Sequence, residues 1–137
     1  MNLFQLGQFT LNSGAVSKWK LECDSLSDDD WKAVAEMVRQ MVGPFSSVEG
    51  VPTGGLKLAR ALTPFVDFAG PHLIVDDVLT TGGSMERTCA VFLQGKVANP
   101  AGPLVCGAVL FARGQCPPWI KAVFQMPEVF WLTPRHR

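Results

Sequence analysis

The strongest constraint on the fold is a repeated alternation of short apolar runs with helical segments over most of the chain. Strand-like segments cover residues 45–49, 72–75 and 104–111, and the last two of them are apolar runs. Segments with helical spacing follow the first two strand-like segments, at residues 56–62 and 85–94. Strands that alternate with helices predict an α/β fold with a mainly parallel sheet, covered by helices on its faces.

The N-terminal residues predict an antiparallel hairpin. Apolar and polar residues alternate over 9–13 and again over 18–23, as they do in half-buried strands, and Ser13-Gly14 supplies a turn between the two segments. A helix is then expected from a cap at Ser27 to a stop at Gly43-Pro44.

These elements combine into one small three-layer domain. The length of 137 residues fits a single domain. We expect residues 1–25 to form the hairpin and residues 26–137 to form the α/β core. Within the core, residues 121–126 are expected to form an edge strand, and Gly95 is the expected C-cap of the helix over 85–94.

The composition argues against several classes of function. The 12 Lys and Arg residues balance the 12 Asp and Glu residues, so no basic surface for nucleic acid is expected. No apolar run approaches the roughly 20 residues of a membrane span, and no signal-peptide pattern is present. The 4 Cys residues form no CxxC pair, which argues against a zinc site or a disulfide framework. We therefore expect a cytoplasmic protein that binds neither nucleic acid nor membranes.

An acidic pair and a loop rich in hydroxyl groups and glycine follow the apolar run of residues 72–75. Asp76 and Asp77 end the predicted strand, and the loop 80–84 has the sequence TTGGS before the next helix. Ligands of open parallel sheets bind at the carboxyl ends of the strands. Glycines let successive N–H groups point at one ligand, and hydroxyls add donors near a helix N-terminus, which favours phosphate. Carboxylates suit sugar hydroxyls or Mg²⁺ instead. The pattern therefore predicts a site for a phosphorylated sugar.

The acidic pair and the loop, each taken alone, are also compatible with a purely structural role. Asp76 and Asp77 could cap a turn, and the loop could be an ordinary helix start. The GxGxxG string of dinucleotide folds and the GxxxxGK[ST] string of P-loop enzymes are both absent. A phosphoacceptor receiver domain needs a further Asp on a later strand, and no Asp follows Asp77.

Three segments resemble one enzyme family. Residues 73–84, LIVDDVLTTGGS, resemble the phosphoribosyl-pyrophosphate (PRPP) loop of type I phosphoribosyltransferases. Residues 49–56, EGVPTGGL, resemble the pyrophosphate loop of that family, although the same residues also describe an ordinary strand-to-helix turn. Residues 7–19, GQFTLNSGAVSKW, are most similar to the orotate branch, in which a hairpin forms a hood over the base.

The resemblance implies transfer of phosphoribose from PRPP to a nitrogen of a pyrimidine-type base, with Mg²⁺ as cofactor and release of pyrophosphate. It assigns catalysis, the ribose and the metal to Asp76 and Asp77, and the base to Arg113 and Lys20. A solvated charge at a strand end is the alternative for Arg113. A homodimer is also expected, because the hood would expose Phe4, Phe9 and Trp19. The resemblance assigns the 5-phosphate to Thr80, Thr81, Gly82, Gly83 and Ser84, and the pyrophosphate to Val51, Thr53, Gly54 and Gly55.

Two departures from the family pattern bear on activity. The orotate branch usually has Lys or Arg at the position of Asn12, and it usually has a long mobile basic loop between the two phosphate loops. Here no Lys or Arg occurs between Arg60 and Arg87. Such a lid excludes water and places a cation on the leaving group, so its absence predicts slow turnover. Lys18 and Lys20 of the hood, or Arg135 of a neighbouring subunit, are candidate substitutes for the missing cation. The alternative functions are a non-catalytic PRPP sensor and a scaffold that binds only phosphate.

Overall fold

The N-terminal residues form an antiparallel hairpin, as the alternation predicts. The computed structural model describes residues 1–11, 14–94 and 104–127. Strand β1 spans Phe4–Thr10 and strand β2 spans Val16–Leu21, with Phe4 opposite Leu21. The strand β1 begins earlier than expected, because the pairing with β2 extends it toward the N-terminus. Cys23 was expected in the second strand and lies instead in a 3₁₀ turn, Cys23–Ser25.

Helix α1 spans Asp28–Val42 and has the predicted ends. The Ser27 Oγ accepts a hydrogen bond of 3.1 Å from the Asp30 N–H, and the Asp30 carboxylate accepts one of 2.9 Å from the Ser27 N–H. This capping box satisfies two backbone donors at the helix start. Gly43 ends the helix with a φ of 76°, a conformation that favours glycine.

The core sheet has four strands and is parallel throughout the described residues. Strand β3 spans Ser47–Gly50, β4 spans His72–Leu79, β5 spans Val105–Ala112 and β6 spans Ile120–Gln125. Their order in the sheet is β3-β4-β5-β6, and every pair is parallel. The parallel sheet and the late edge strand are therefore confirmed.

Helices cover both faces of this sheet, which confirms the three layers. Helix α2 spans Leu56–Leu62 and helix α3 spans Gly83–Leu93. Alternate residues of β4 face opposite sides, as in any strand. Val75 packs in the cluster that holds α1 and α2, whereas Ile74 packs with Met85 of α3.

Two predicted boundaries near the acidic pair are wrong. The strand was expected to end with Asp76 and Asp77, but β4 continues through Leu79, so both residues lie inside it. The ladder with β5 accounts for this extension, since Asp76 pairs with Val109 and Leu79 with Ala112. Helix α3 begins at Gly83 rather than at residue 85. The expected cap at Gly95 lies outside the described residues.

The connection between α2 and β4 is short. A 3₁₀ turn, Thr63–Phe65, follows α2 directly, and β4 begins at His72, which leaves residues 66–71 as the connector. Its middle is open to solvent, with Phe68 fully exposed. In the described parts of the chain, no helix combines the length and the apolar character needed to cross a membrane.

Candidate functional site

A single cavity of about 460 Å³ collects the predicted site residues at the carboxyl ends of β3, β4 and β5. Its wall comes from the hairpin on one side and from the two loops that follow β3 and β4 on the other. Of the residues predicted from the sequence, it is lined by Lys20, Val51, Thr53, Gly54, Asp76, Asp77, Thr80, Thr81, Gly82, Gly83, Ser84 and Arg113. Gly55 is the one predicted residue that does not line it.

The loop after β3 is packed tightly against β4. Gly55 donates its N–H to the Val51 carbonyl at 2.8 Å, and Val51 donates to the Val75 carbonyl at 2.9 Å. A Cβ on Gly55 would overlap the Val75 carbonyl oxygen, and a Cβ on Gly54 would overlap the Asp77 carboxylate. The peptide bond between Pro52 and Thr53 is cis. Gly55 therefore shapes this loop from behind, while Gly54 brings its backbone against the acidic pair.

The acidic pair is crowded and largely shielded from water. Asp76 is 9% exposed and lies next to the half-buried Asp77. The Asp77 N–H donates to Asp76 Oδ1 at 2.8 Å, and the Val78 N–H donates to Asp77 Oδ1 at 2.7 Å. Burial, and next the neighbouring Asp77, raise the pKa of Asp76 from 3.8 to about 8. A cation or hydroxyl donors would stabilise the ionised form of two carboxylates in this position.

The loop after β4 turns into α3 through Gly82. Gly82 has a φ of 87° and is the N-cap of the helix, so its left-handed backbone makes the turn possible. The Gly83 N–H points toward Thr81 Oγ1 at 3.4 Å. Arg87, which the sequence did not mark as a site residue, donates to Ser84 Oγ at 3.2 Å. The loop therefore combines hydroxyls, the first N–H groups of a helix and a nearby guanidinium.

Arg113 is buried at the opposite wall of the cavity. Only 2% of the residue is exposed, so the alternative of a solvated strand-end charge is wrong. Its Nη2 donates to Ser17 Oγ at 2.7 Å and its Nη1 donates to the Trp19 carbonyl at 3.3 Å. The guanidinium carbon lies 3.6 Å from the centroid of the Trp19 ring. Burial lowers the pKa of Arg113, although an Arg remains charged at neutral pH.

The backbone of Arg113 ties this wall to the loop after β4. The Arg113 N–H donates to the Leu79 carbonyl at 2.7 Å. Gly114 packs closely on Thr80, the first residue after β4, so that a Cβ on Gly114 would overlap the Thr80 carbonyl oxygen. The distance between the two walls of the cavity is therefore set by main-chain contacts between β4 and β5.

The hairpin supplies the second predicted cation of the cavity. Lys20 forms an ion pair of 3.3 Å with Glu22, and its Nζ lies 4.9 Å from the Phe9 ring centroid. Both contacts are local to the hairpin, so they leave the side chain able to turn toward a ligand at small cost. The hairpin leaves Phe4 58% exposed, although its ring contacts Phe111 edge-on, and it leaves Leu6 91% exposed.

Sequence reasoning missed several residues of the cavity, and it also missed Ser17, which holds Arg113. Ser17 lies just before the alternation over 18–23 and had no signal of its own, because its partner Arg113 lies 96 positions away. Asn12 and Arg135, which bear on the missing cations, lie outside the described residues. The residues that line the cavity without having been predicted are Thr10, Leu11, Leu21, Pro52, Val78, Leu79 and Met85.

Comparison with known proteins gives matches among solved structures only. No protein-family model matches the chain, and no curated protein matches its sequence. The structure matches an orotate phosphoribosyltransferase from Aeropyrum pernix with a TM-score of 0.70 and 22% identity, over 90% of this chain and 88% of that chain. The chain has the type I phosphoribosyltransferase fold.

Two further structures of that fold extend the comparison. UMP synthase from Leishmania donovani matches with a TM-score of 0.66 and 19% identity, over 90% of this chain and 34% of that chain. An orotate phosphoribosyltransferase from Mycobacterium tuberculosis in complex with inorganic phosphate matches with a TM-score of 0.61 and 16% identity, over 88% of this chain and 86% of that chain. Identities of this size establish the fold, and the substrate has to be inferred from the site.

The residues of this phosphoribosyltransferase fold suit a Mg²⁺ ion that is shared with a substrate. Within residues 1–11, 14–94 and 104–127 there is no cluster of three or more acidic, His or Cys side chains that would hold a metal alone. Asp76 and Asp77 offer two adjacent carboxylates, and the burial of Asp76 makes its ionised form costly without a cation. Mg²⁺ is commonly held by one or two carboxylates together with substrate phosphates. The donor set therefore fits the metal.

Proposed function

We propose that this protein transfers phosphoribose from PRPP to a ring nitrogen of a pyrimidine-type base and releases pyrophosphate. The observation that carries the proposal is the single cavity that brings together both phosphate loops, the acidic pair, Lys20 and Arg113. The fold of orotate phosphoribosyltransferases supports the same reaction class. Fold alone does not decide function, so the function has to follow from the residues that would meet each part of the substrate.

The loop after β4 is the proposed 5-phosphate site. Thr80, Thr81 and Ser84 supply hydroxyls, and the N–H groups at Gly82 and Gly83 lie at the start of an eleven-residue helix. A helix N-terminus with free N–H groups favours an anion. Pyrophosphate is assigned to the backbone of the loop after β3, where Val51, Thr53 and Gly54 line the cavity and Gly55 holds the loop in place.

The acidic pair is the proposed ribose and metal site. Breaking the C1 bond of PRPP develops positive charge on the ribose, and Asp76 and Asp77 stabilise that charge while they accept hydrogen bonds from the ribose hydroxyls. Mg²⁺ held by the same carboxylates supplies charge neutralisation for the departing pyrophosphate. The contact between Gly54 and Asp77 fixes the acidic pair beside the pyrophosphate loop.

The base is proposed to lie between Arg113 and Lys20, under the hairpin. Both cations line the cavity, and among the described residues no carboxylate lies within ion-pair distance of Arg113. A guanidinium binds a carboxylate through two parallel hydrogen bonds, which suits a carboxylated base such as orotate.

A PRPP sensor without turnover is the second candidate function. The observation that favours it is the connector of residues 66–71, which is short and contains neither Lys nor Arg. A lid that excludes water from the leaving group cannot be formed by so few residues. Binding of PRPP depends on the two loops and the acidic pair, so it does not require the lid.

The experiment that tests the function is a screen of nucleobases with PRPP and Mg²⁺, read by pyrophosphate release. Release that depends on orotate or another pyrimidine supports the transferase. Calorimetric binding of PRPP without release for any base supports the sensor instead. Absence of both PRPP binding and turnover would refute both functions. The variant Asp76→Asn with Asp77→Asn serves as the site-directed control, because release from a contaminating enzyme would survive in it.

The proposal includes the arrangement expected from the sequence: one domain of residues 1–137, in the cytoplasm, that forms a homodimer through the hairpin. The exposed apolar residues Phe4 and Leu6 support the dimer. Sedimentation of the wild type against Leu6→Glu tests it. A wild type that sediments as a monomer at micromolar concentration would refute the dimer and leave the transferase proposal intact.

A further inference from the structure

Arg113 carries a buried charge that no acidic side chain of the described residues compensates. The residue is 2% exposed, and none of the ion pairs in the described parts of the chain includes it. Its Nε is buried and has no hydrogen-bond acceptor. A buried, incompletely paired cation lowers the stability of the folded protein unless the surrounding groups hold it in place. Here the groups that hold it belong to the hairpin.

Ser17 is the group that holds Arg113 most closely. The residue is 1% exposed, and its hydroxyl makes three hydrogen bonds. Ser17 Oγ donates to the Trp19 carbonyl at 2.6 Å, and it accepts from the Trp19 N–H at 3.2 Å and from Arg113 Nη2 at 2.7 Å. A hydroxyl has one donor and two acceptor lone pairs, so all three are used. The direction of the hydroxyl toward Arg113 is therefore fixed by the backbone of β2.

Trp19 fixes the plane of the same guanidinium. The indole ring lies against it at 3.6 Å, and the Trp19 carbonyl accepts from Nη1 at 3.3 Å. A guanidinium has five N–H donors, of which the hairpin takes two. Of the other three, the Nε–H is buried, and one N–H on each of Nη1 and Nη2 remains for a ligand. Ser17 and Trp19 of β2 therefore set the position and the plane of the Arg113 guanidinium and determine which of its donors stay free.

We infer that Ser17 is a positioning residue for Arg113 and that it determines the preference of the site for a carboxylated base over an uncharged one. The inference rests on the proposed function for the identity of the ligand. A carboxylate forms two parallel hydrogen bonds with the guanidinium only while the guanidinium is held at one angle. A base without a carboxylate forms no such pair, so its affinity depends little on that angle. Loss of the Ser17 hydroxyl frees Nη2 to rotate and removes the advantage of the carboxylate.

The first test compares Ser17→Ala with Ser25→Ala in their discrimination between orotate and uracil. Ser25 lies next to the hairpin, and no side-chain hydrogen bond of its hydroxyl occurs in the described structure. The ratio of the two kcat/KM values, or of the two dissociation constants if turnover is absent, should fall about tenfold in Ser17→Ala. PRPP affinity should stay unchanged. An unchanged ratio in a folded Ser17→Ala protein would overturn the inference.

The second test needs no ligand. Nitrogen-15 NMR of the arginine side chains should show slow rotation of the Arg113 Nη groups in the wild type, with the signals assigned by their loss in Arg113→Lys. Rotation should become fast in Ser17→Ala and stay slow in Ser25→Ala. If the wild type binds neither base, the proposed function fails while this measurement still decides the positioning. Equal rotation in wild type and Ser17→Ala would overturn the positioning itself.

Discussion

The two ends of the cavity are built in different ways. The end proposed for the phosphate, called the phosphate end here, is a continuous stretch of chain from Asp76 through Ser84 that turns from the end of β4 into α3. The end proposed for the base, called the base end, joins Ser17 and Trp19 to Arg113, from which they are separated by 96 and 94 positions. A continuous stretch keeps its geometry through local hydrogen bonds, whereas the base end has its geometry only after the hairpin has docked on the sheet. Changes far from the ligand should therefore disturb the base end more.

The largest effect is expected from a variant that removes the two carboxylate charges of the phosphate end without changing its shape. Asp76→Asn with Asp77→Asn should weaken Mg²⁺-dependent PRPP binding about 100-fold or more, because charge-assisted hydrogen bonds and the metal are both lost. Titration calorimetry with and without Mg²⁺ measures it. Asp28→Asn with Asp29→Asn removes the same charge from the exposed start of α1 and should bind normally. Retained Mg²⁺ dependence in the first variant would rule out the acidic pair as the metal site.

A second prediction compares the stability of the two ends through matched glycine substitutions. Gly114→Ala places a Cβ on the Thr80 carbonyl oxygen, and backbone cannot move aside cheaply. It should lower the free energy of unfolding by about 1–3 kcal/mol. Gly83→Ala meets only the flexible end of Arg87, at 3.2 Å, and should change stability by less than about 0.5 kcal/mol. Urea unfolding of both variants decides it, and equal losses would contradict the contrast.

A third prediction uses the titration of Asp76. Its pKa is raised from 3.8 to about 8 in the folded protein, so the folded state keeps a proton that the unfolded chain has lost. The free energy of unfolding should therefore fall as pH rises from about 4 to about 8, by about 1.4 kcal/mol per pH unit at most. Urea unfolding in a chelator measures this slope. Asp76→Asn should flatten it, and an equal slope in that variant would assign the effect elsewhere.

The smallest expected effect concerns the guanidinium beside the phosphate loop. Arg87→Gln removes an exposed cation that donates to Ser84 Oγ at 3.2 Å. Exposed charges act weakly in water, so the affinity for PRPP should fall only about twofold to fivefold, and more at low salt than at high salt. Lys32→Gln, an exposed cation on α1, is the matched control. Equal losses in the two variants would show a general effect of net charge.

The local structure of the phosphate end could be predicted from the sequence because its information is local. The strand, the acidic pair, the glycine turn and the helix follow one another along the chain, and the function of each residue stays a prediction. The error was the strand end, since the extension of β4 through Leu79 depends on pairing with β5. The parallel sheet and the layers were likewise readable from the alternation of apolar runs and helices.

The base end could be predicted only as a pair of candidate cations. The burial of Arg113 and its bonds to Ser17 and Trp19 depend on where the hairpin docks, and no local pattern encodes that contact. The same reason explains Gly55, which was assigned to the ligand but packs against the Val75 carbonyl instead. Close backbone approach and ligand approach both require glycine, and the sequence does not distinguish them.

The short connector of residues 66–71 is a suitable site for the insertion of a longer loop. Residues 66–71 join α2 and β4 at the surface, and Phe68 at their centre is fully exposed. Asp67 and Gly70 are held on either side, since the Asp67 N–H donates to the Phe45 carbonyl and Gly70 packs on Pro44. Lengthening an exposed loop costs only about 0.6 kcal/mol for each doubling. A basic segment inserted after Phe68 would therefore leave the scaffold folded and separate the contribution of a lid to catalysis from that of the cavity.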